Sequence, residues 1–224
     1  MTNVSLHRTG SMLTRWERPL LIWIAGRLPA WISPDGLTAI GFAGAVICAG
    51  GYALAPRAPW ALALASLGLV INWFGDSLDG TLARVRRIER PRYGYFLDNG
   101  LDMLEQLVIA AGLAVSGYVR SDVCFVALSV LLMMSSLSAL KAFVSPVHQM
   151  AYGGIGLTEL RLAGVAANGV LFLFPPAKVG AFGLPLAYPD IALLAWSGVT
   201  LVLFAISLAA EASKLAAEDR PRRD

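Results

Sequence analysis

Charge is scarce in this chain: Asp, Glu, Lys and Arg make up 15% of its 224 residues, against roughly a quarter in soluble domains. Together with a mean hydropathy of +0.64, that shortage excludes an ordinary soluble globule and implies a membrane protein. Cysteine is rarer still. Cys48 and Cys124 each stand alone in an apolar run, which leaves neither a disulfide framework nor a zinc-ligand spacing. The two histidines, His7 and His148, form no cluster and are not expected to be metal ligands. Basic residues interleaved with aromatics, the mark of a nucleic-acid surface, are missing, so no nucleic-acid partner is expected. Low-complexity tracts, internal repeats and a separate soluble domain are also lacking. Residues 1–224 therefore read as one membrane domain.

What the chain does have is long apolar runs. A helix needs about 20 residues to cross a hydrocarbon layer of about 30 Å, and runs of that order lie near 37–55, 60–80, 98–119, 122–144, 157–174 and 190–210. The expected fold is an all-α integral membrane protein with six transmembrane helices, the bundle occupying 37–210. Pro, Gly and charge collect between the runs, with four of the twelve prolines in 174–189. Residues 11–32 mix Trp16, Trp23 and Trp31 with Arg15, Arg18 and Arg27. They have neither the clean apolar core nor the small-residue cleavage site of a signal peptide, and they suit an amphipathic helix lying at the membrane interface.

Positive charge is strongly one-sided. Of the eighteen Lys and Arg, fifteen fall on the side that holds both termini and the segment between spans two and three, and three fall on the other. The positive-inside rule then places both termini and that segment in the cytoplasm, at the cytoplasmic membrane if the source is bacterial. Contact with anionic membrane lipids explains the net charge of +3 without a further partner.

Four carboxylates break the pattern. Asp76 and Asp79 are three residues apart and Asp98 and Asp102 four apart, so each pair shares a helix face. The first pair closes span two and the second opens span three, so an antiparallel hairpin would bring all four together near the cytoplasmic interface. Such charges repel and resist desolvation unless cations neutralise them. Hard divalent ions with oxygen ligands do so, and four carboxylates suit two ions. Gly80, Ala83 and Gly94 leave the backbone open, and Arg84 offers a forked donor for phosphate. Together these residues describe a diphosphate site.

In full, the stretch reads Asp76-Ser-Leu-Asp79-Gly80-Thr-Leu-Ala83-Arg84, nine residues, then Gly94-Tyr-Phe-Leu-Asp98-Asn-Gly-Leu-Asp102. It resembles the signature of the CDP-alcohol phosphotransferases at all eight positions, with a spacer about one residue longer than usual. Ser33-Pro34-Asp35-Gly36-Leu37-Thr38 resembles the same family's Pro-Asn-x-x-Thr entry to the first span, with Asp35 in place of Asn. The resemblance implies transfer of a phospho-alcohol unit from a CDP-linked donor to the hydroxyl of an acceptor alcohol, with release of CMP; the leading expectation is a CDP-diacylglycerol donor and a polar cytoplasmic acceptor. It makes Asp76, Asp79, Asp98 and Asp102 the ligands of two Mg²⁺ or Mn²⁺ ions, and Asp102 the catalytic base as well. Asp79, Gly80, Ala83, Arg84, Gly94 and Thr38 would hold the cytidine diphosphate. A homodimer is also implied. The choline and ethanolamine branch often carries His after the third Asp; Asn99 stands there, which disfavours that branch and favours Asp102 as base.

Several polar residues remain outside the signature. Glu105 extends the 98–102 face by about a turn, either as a partner behind the ligands or as a helix-interior charge satisfied by a neighbour. Lys141, Thr158, Glu159 and Arg161 bracket the loop between spans four and five. They are candidates for gripping an acidic acceptor, or ordinary loop charge. Arg86, Arg87, Arg90 and Arg92 are explained by topology. Gly44, Gly50, Gly51, Gly112 and Gly117 suit close helix packing, within one bundle or between two copies. Two other classes use acidic residues in membranes. Magnesium-dependent prenyltransferases usually carry two Asp-rich motifs and more spans, and ion transporters place carboxylates near the midplane on several helices. A single interfacial cluster fits neither as well.

Overall fold

The computed structural model describes residues 7–9, 14–144, 147–149, 156–177, 179–181 and 184–219. Seven helices are described: α1 (Thr14–Ala25), α2 (Pro34–Leu54), α3 (Ala61–Arg86), α4 (Pro91–Ser116), α5 (Ser121–Val144), α6 (Leu157–Leu173) and α7 (Tyr188–Glu218). The chain is an all-helical membrane protein apart from two short pairings. His7–Thr9 lies parallel to Val147–Gln149, and Val179–Ala181 lies antiparallel to Leu184–Leu186. The side chains of His7 and His148 lie outside the described residues.

Four helices, α2, α3, α5 and α7, are long and apolar enough to cross a membrane. The other two expected spans differ for identifiable reasons: α4 has 26 residues but carries Asp98, Asp102 and Glu105 within its length, and α6 has 17, the short end of the spanning range. The helix expected over 11–32 covers Thr14–Ala25 among the described residues, and Trp16 and Trp31 are each 83% exposed. Arg27 lies over the Trp23 ring at 3.9 Å.

Glycine sets how closely the central pair packs. A Cβ on Gly44 or Gly51 of α2 would collide with the α3 backbone at Asn72 or Ala65, and one on Gly68 or Gly75 would collide with α2. The absent side chains let the two backbones touch along their length. Gly112 does the same for α4 against Ala49 of α2. The small-residue positions 44, 51 and 112 are thus used inside one bundle, whereas Gly50 has open space around it and Gly117 ends α4 at φ 73°. Buried Cys48, Tyr52, Leu62 and Leu69 fill the core beside this contact. Around the pair, α4 packs on α2 and α5, α7 on α5, and α6 on α3.

Local signals fix where the site begins. Ser33 caps α2, its hydroxyl accepting from Gly36 N–H at 3.0 Å, and Pro34 follows at the first helical position, where its missing N–H is harmless. At the other end of the hairpin, α3 runs on to Arg86 and closes with Arg87 in the left-handed region at φ 57°; Ile88 N–H returns to the Ala83 carbonyl at 3.0 Å. Pro91 then starts α4. The basic segment 84–93, between the second and third apolar runs, is therefore helical except for the turn 87–90.

Candidate active site

The hairpin of α3 and α4 brings the acidic pairs together. Asp76, Asp98 and Asp102 each present a carboxylate oxygen, all within 4.8 Å of one another. Three hard oxygen donors at that spacing fit a divalent cation. Asp79, one turn along α3 from Asp76, lies outside this trio. Its carboxylate accepts from the Thr38 hydroxyl at 2.7 Å and from Gly80 N–H. Thr38 also donates to the Pro34 carbonyl at 3.1 Å, so the start of α2 is tied directly to the signature.

Two cavities meet at this cluster. The larger, about 770 Å³, is lined by Thr38, Asp79, Gly80, Ala83, Arg84 and Gly94 among others. Every residue expected to hold a cytidine diphosphate therefore faces one cleft. The smaller, about 220 Å³, is lined by Asp98, Asn99, Asp102 and residues of α5, α6 and α7. Asp98 and Tyr95 line both, whereas Asp102 faces only the smaller and Asp79 only the larger. Asn99 spends its amide on the Tyr95 carbonyl at 2.8 Å, which suits a structural role.

Gly80 and Gly94 act differently. A Cβ on Gly80 would lie 3.4 Å from the Arg84 guanidinium, an ordinary contact; that guanidinium donates to Thr81 at 3.0 Å. Beside Gly94 there is open space.

Three residues matter here in ways the signature does not reveal. Arg161 on α6 reaches the cluster from the side: it donates to Asp76 at 2.6 Å and Asn72 at 2.6 Å, and pairs with Glu105 at 3.8 Å. Asn72 in turn donates to the Gly41 carbonyl of α2 at 3.0 Å. Glu105 is thus a buried charge satisfied by a neighbour. Arg86 donates to the carbonyls of Leu28 at 2.9 Å and Pro29 at 2.8 Å, and also to that of Ile32, clasping the segment that leads into Ser33. Arg90 pairs with Asp35 across the rim of the larger cleft and lies over the Tyr93 ring at 4.1 Å. Of the remaining candidates, Lys141 pairs with Ser207 at 2.7 Å and Glu211 at 3.6 Å. Glu159 caps α6 by accepting from Gly156 N–H at 2.8 Å.

The helical membrane bundle thus sets an acidic cluster that could hold a divalent ion beside a cleft lined by open backbone and an arginine. The chain belongs to the CDP-alcohol phosphatidyltransferase family, whose model matches residues 31–211. It is 28% identical to cholinephosphotransferase 1 of Gallus gallus over 163 residues, 68% of this chain and 47% of that protein. With archaetidylinositol phosphate synthase of Pyrococcus horikoshii the identity is 36% over 97 residues, 43% of this chain and 48% of the other. With cholinephosphotransferase 1 of Bos taurus it is 27% over 205 residues, 86% of this chain and 50% of that protein. The chain spans about half the length of these relatives.

Proposed function

We propose that the protein transfers a phospho-alcohol unit from a CDP-alcohol to the hydroxyl of a second alcohol and releases CMP, as a step in phospholipid synthesis. The observation that carries this reading is the meeting of two cavities at Asp98. The cleft with Thr38, Asp79, Gly80, Ala83, Arg84 and Gly94 receives the cytidine diphosphate; the cavity with Asp102 receives the acceptor. Family membership favours this reaction over prenyl transfer or ion transport.

Asp76, Asp79, Asp98 and Asp102 hold two Mg²⁺ or Mn²⁺ ions. Bound there, such ions supply electrostatic stabilisation of the diphosphate and of the leaving CMP. Arg84 orients the phosphates from the rim, Thr38 fixes the Asp79 carboxylate, and Asp102 takes the proton of the acceptor hydroxyl. The helices α2 to α7 make six spans, α1 lies in the interface, and both termini and the site face the cytoplasm, as the charge bias of fifteen to three supports. The homodimer rests on the family resemblance; positions 44, 51 and 112 are already used within the bundle.

Either substrate can bring the lipid: the donor, as the CDP-diacylglycerol expected from the sequence, or the acceptor. CMP release from a CDP-alcohol by the purified chain, dependent on Mg²⁺ or Mn²⁺, tests the reaction. Pyrophosphate release from a prenyl diphosphate, or full turnover in excess EDTA, would contradict it.

A further inference from the structure

The rim of the larger cleft is bridged by a contact that the signature does not contain. Arg90, the last residue before α4, donates through one terminal nitrogen to the carboxylate of Asp35 in the first turn of α2, 55 residues away. Both residues line the cleft, as does Tyr93, whose ring lies 4.1 Å from the Arg90 guanidinium. Asp35 stands where the family's usual entry to the first span carries Asn, and Arg90 falls in the spacer that is about one residue longer than usual. Two departures from the family pattern thus meet in one ion pair.

The pair is built to exchange partners. The two side chains are 54% and 47% exposed, and an ion pair in that much water contributes little to stability. A phosphate offers the same guanidinium two oxygens in the planar arrangement that suits its fork, a stronger bond than one exposed carboxylate contact. Letting go costs Asp35 little, because a carboxylate in the first turn of a helix is favoured by the helix dipole. The rim does not depend on the pair either: Ser33 caps α2, and Arg86 holds the carbonyls of Leu28, Pro29 and Ile32. Tyr93 keeps the guanidinium at the cleft throughout, since a cation over an aromatic face is attracted whether or not a carboxylate is near.

Position decides what Arg90 can reach. Arg84 lines the cleft from α3 and Arg90 from the turn into α4, so a phosphate there can be held from two elements. Divalent ions on the aspartates would neutralise it from inside the cleft; Arg90, at the exposed rim, meets it from outside. Building on the transferase reading, we propose that Arg90 is a second arginine for the donor's diphosphate, held on Asp35 while the cleft is empty and passed to a phosphate oxygen when a nucleotide enters. Asp35 is a positioning residue that acts through Arg90: it keeps the guanidinium at the rim and competes with the donor for it.

The test measures CMP binding by the full chain in detergent micelles with excess Mg²⁺ at low salt, for the unmodified protein, Arg90→Ala, Asp35→Asn and the double variant. Arg90→Ala should weaken CMP about tenfold, the scale of lost hydrogen bonds to a charged group. Asp35→Asn should tighten it about threefold, the scale of an exposed ion pair that no longer competes, and that gain should vanish in the Arg90→Ala background. Unchanged CMP affinity in Arg90→Ala would show that Arg90 stays on Asp35, and a gain from Asp35→Asn that survives in the double variant would make Asp35 a bare repelling charge; either result overturns the proposal. So does weaker binding in Asp35→Asn, which would make the pair a brace for the cleft. These outcomes leave the transferase reading standing, whereas no CMP binding by the unmodified protein overturns both.

Discussion

Arg161 and Asp76 lie 85 residues apart in sequence and meet at 2.6 Å, a buried cation from α6 held against one carboxylate of the aspartate trio. Five carboxylates crowd this end of the bundle: Asp76, Asp79, Asp98, Asp102 and Glu105. One arginine and two divalent ions would balance their charge. Arg161 therefore offsets Glu105, the one carboxylate that two ions on the four signature aspartates would leave unbalanced, and it ties α6 to the α3–α4 hairpin.

Removing that guanidinium leaves Asp76 and Glu105 facing each other in a half-dry site. Breaking a buried pair from one side costs about 3–5 kcal/mol, so Arg161→Ala should lower the Tm in detergent measured in EDTA. Excess Mg²⁺ should then restore more of the Tm than it adds to the unmodified protein, because the ion replaces the missing positive charge. Equal Mg²⁺-induced shifts in the two proteins would contradict this role.

The Thr38–Asp79 hydrogen bond links the entry of α2 to the signature. Thr38→Val keeps the shape and removes a bond to a charged acceptor, a contribution of about 1.5–3 kcal/mol. Since the contact is only part-buried, the lower end applies, and KM for the CDP donor should rise about tenfold with little change in kcat. A loss confined to kcat would place Thr38 in the chemistry instead.

Neighbouring arginines should behave differently. Arg84→Ala should weaken the CDP donor severely, because Arg84 lines the cleft. Arg86→Ala should weaken it indirectly by freeing residues 28–32, with greater protease sensitivity there. Arg87 lines neither of the two cavities described above and holds a left-handed turn at φ 57°, a conformation that costs a non-glycine residue about 1 kcal/mol. Arg87→Ala should leave donor use unchanged and Arg87→Gly should raise the Tm. Equal losses in all three alanine variants would dissolve these distinctions.

Topology follows from charge. A reporter fused after Asp224 should be active only in its cytoplasmic form, and one inserted near Arg120 only in its exported form. The opposite pattern would invert the assigned orientation, and both reporters on one side would remove the six-span arrangement.

The signature was legible because its spacing encodes helix faces: Asp76 with Asp79, and Asp98 with Asp102, each share a face by spacing alone. Ser33 and Pro34 likewise announce the start of α2. Arg161 was legible as a membrane-edge charge, but its partners depend on how α6 packs against α3, which no local pattern states. Arg86 was hidden among five basic residues that orientation alone explains, and its contacts are backbone carbonyls, which leave no mark in sequence. Lys141 meets Ser207 and Glu211 of α7, and Arg161 meets Asp76 and Glu105 of α3 and α4, pairings between distant helices that no local pattern states. The helical continuation of 84–86 and 91–93 was masked by charge density, which reads as loop although α3 closes on the left-handed Arg87 and Pro91 opens α4.

The division of labour between Asp79 on the donor side and Asp102 on the acceptor side is tested most directly by measuring CMP affinity beside turnover in Asp79→Asn and Asp102→Asn. Asp→Asn keeps size and one coordinating oxygen but removes charge and basicity. Asp79→Asn should weaken CMP binding, with part of the rate returning as Mg²⁺ is raised. Asp102→Asn should bind CMP nearly as well as the unmodified protein while losing ~10²–10⁴-fold in turnover, the usual contribution of a positioned base, and added metal should not restore it. If Asp102→Asn loses CMP binding as badly as Asp79→Asn, or recovers turnover at high Mg²⁺, Asp102 is one more metal ligand and the two-sided site is wrong.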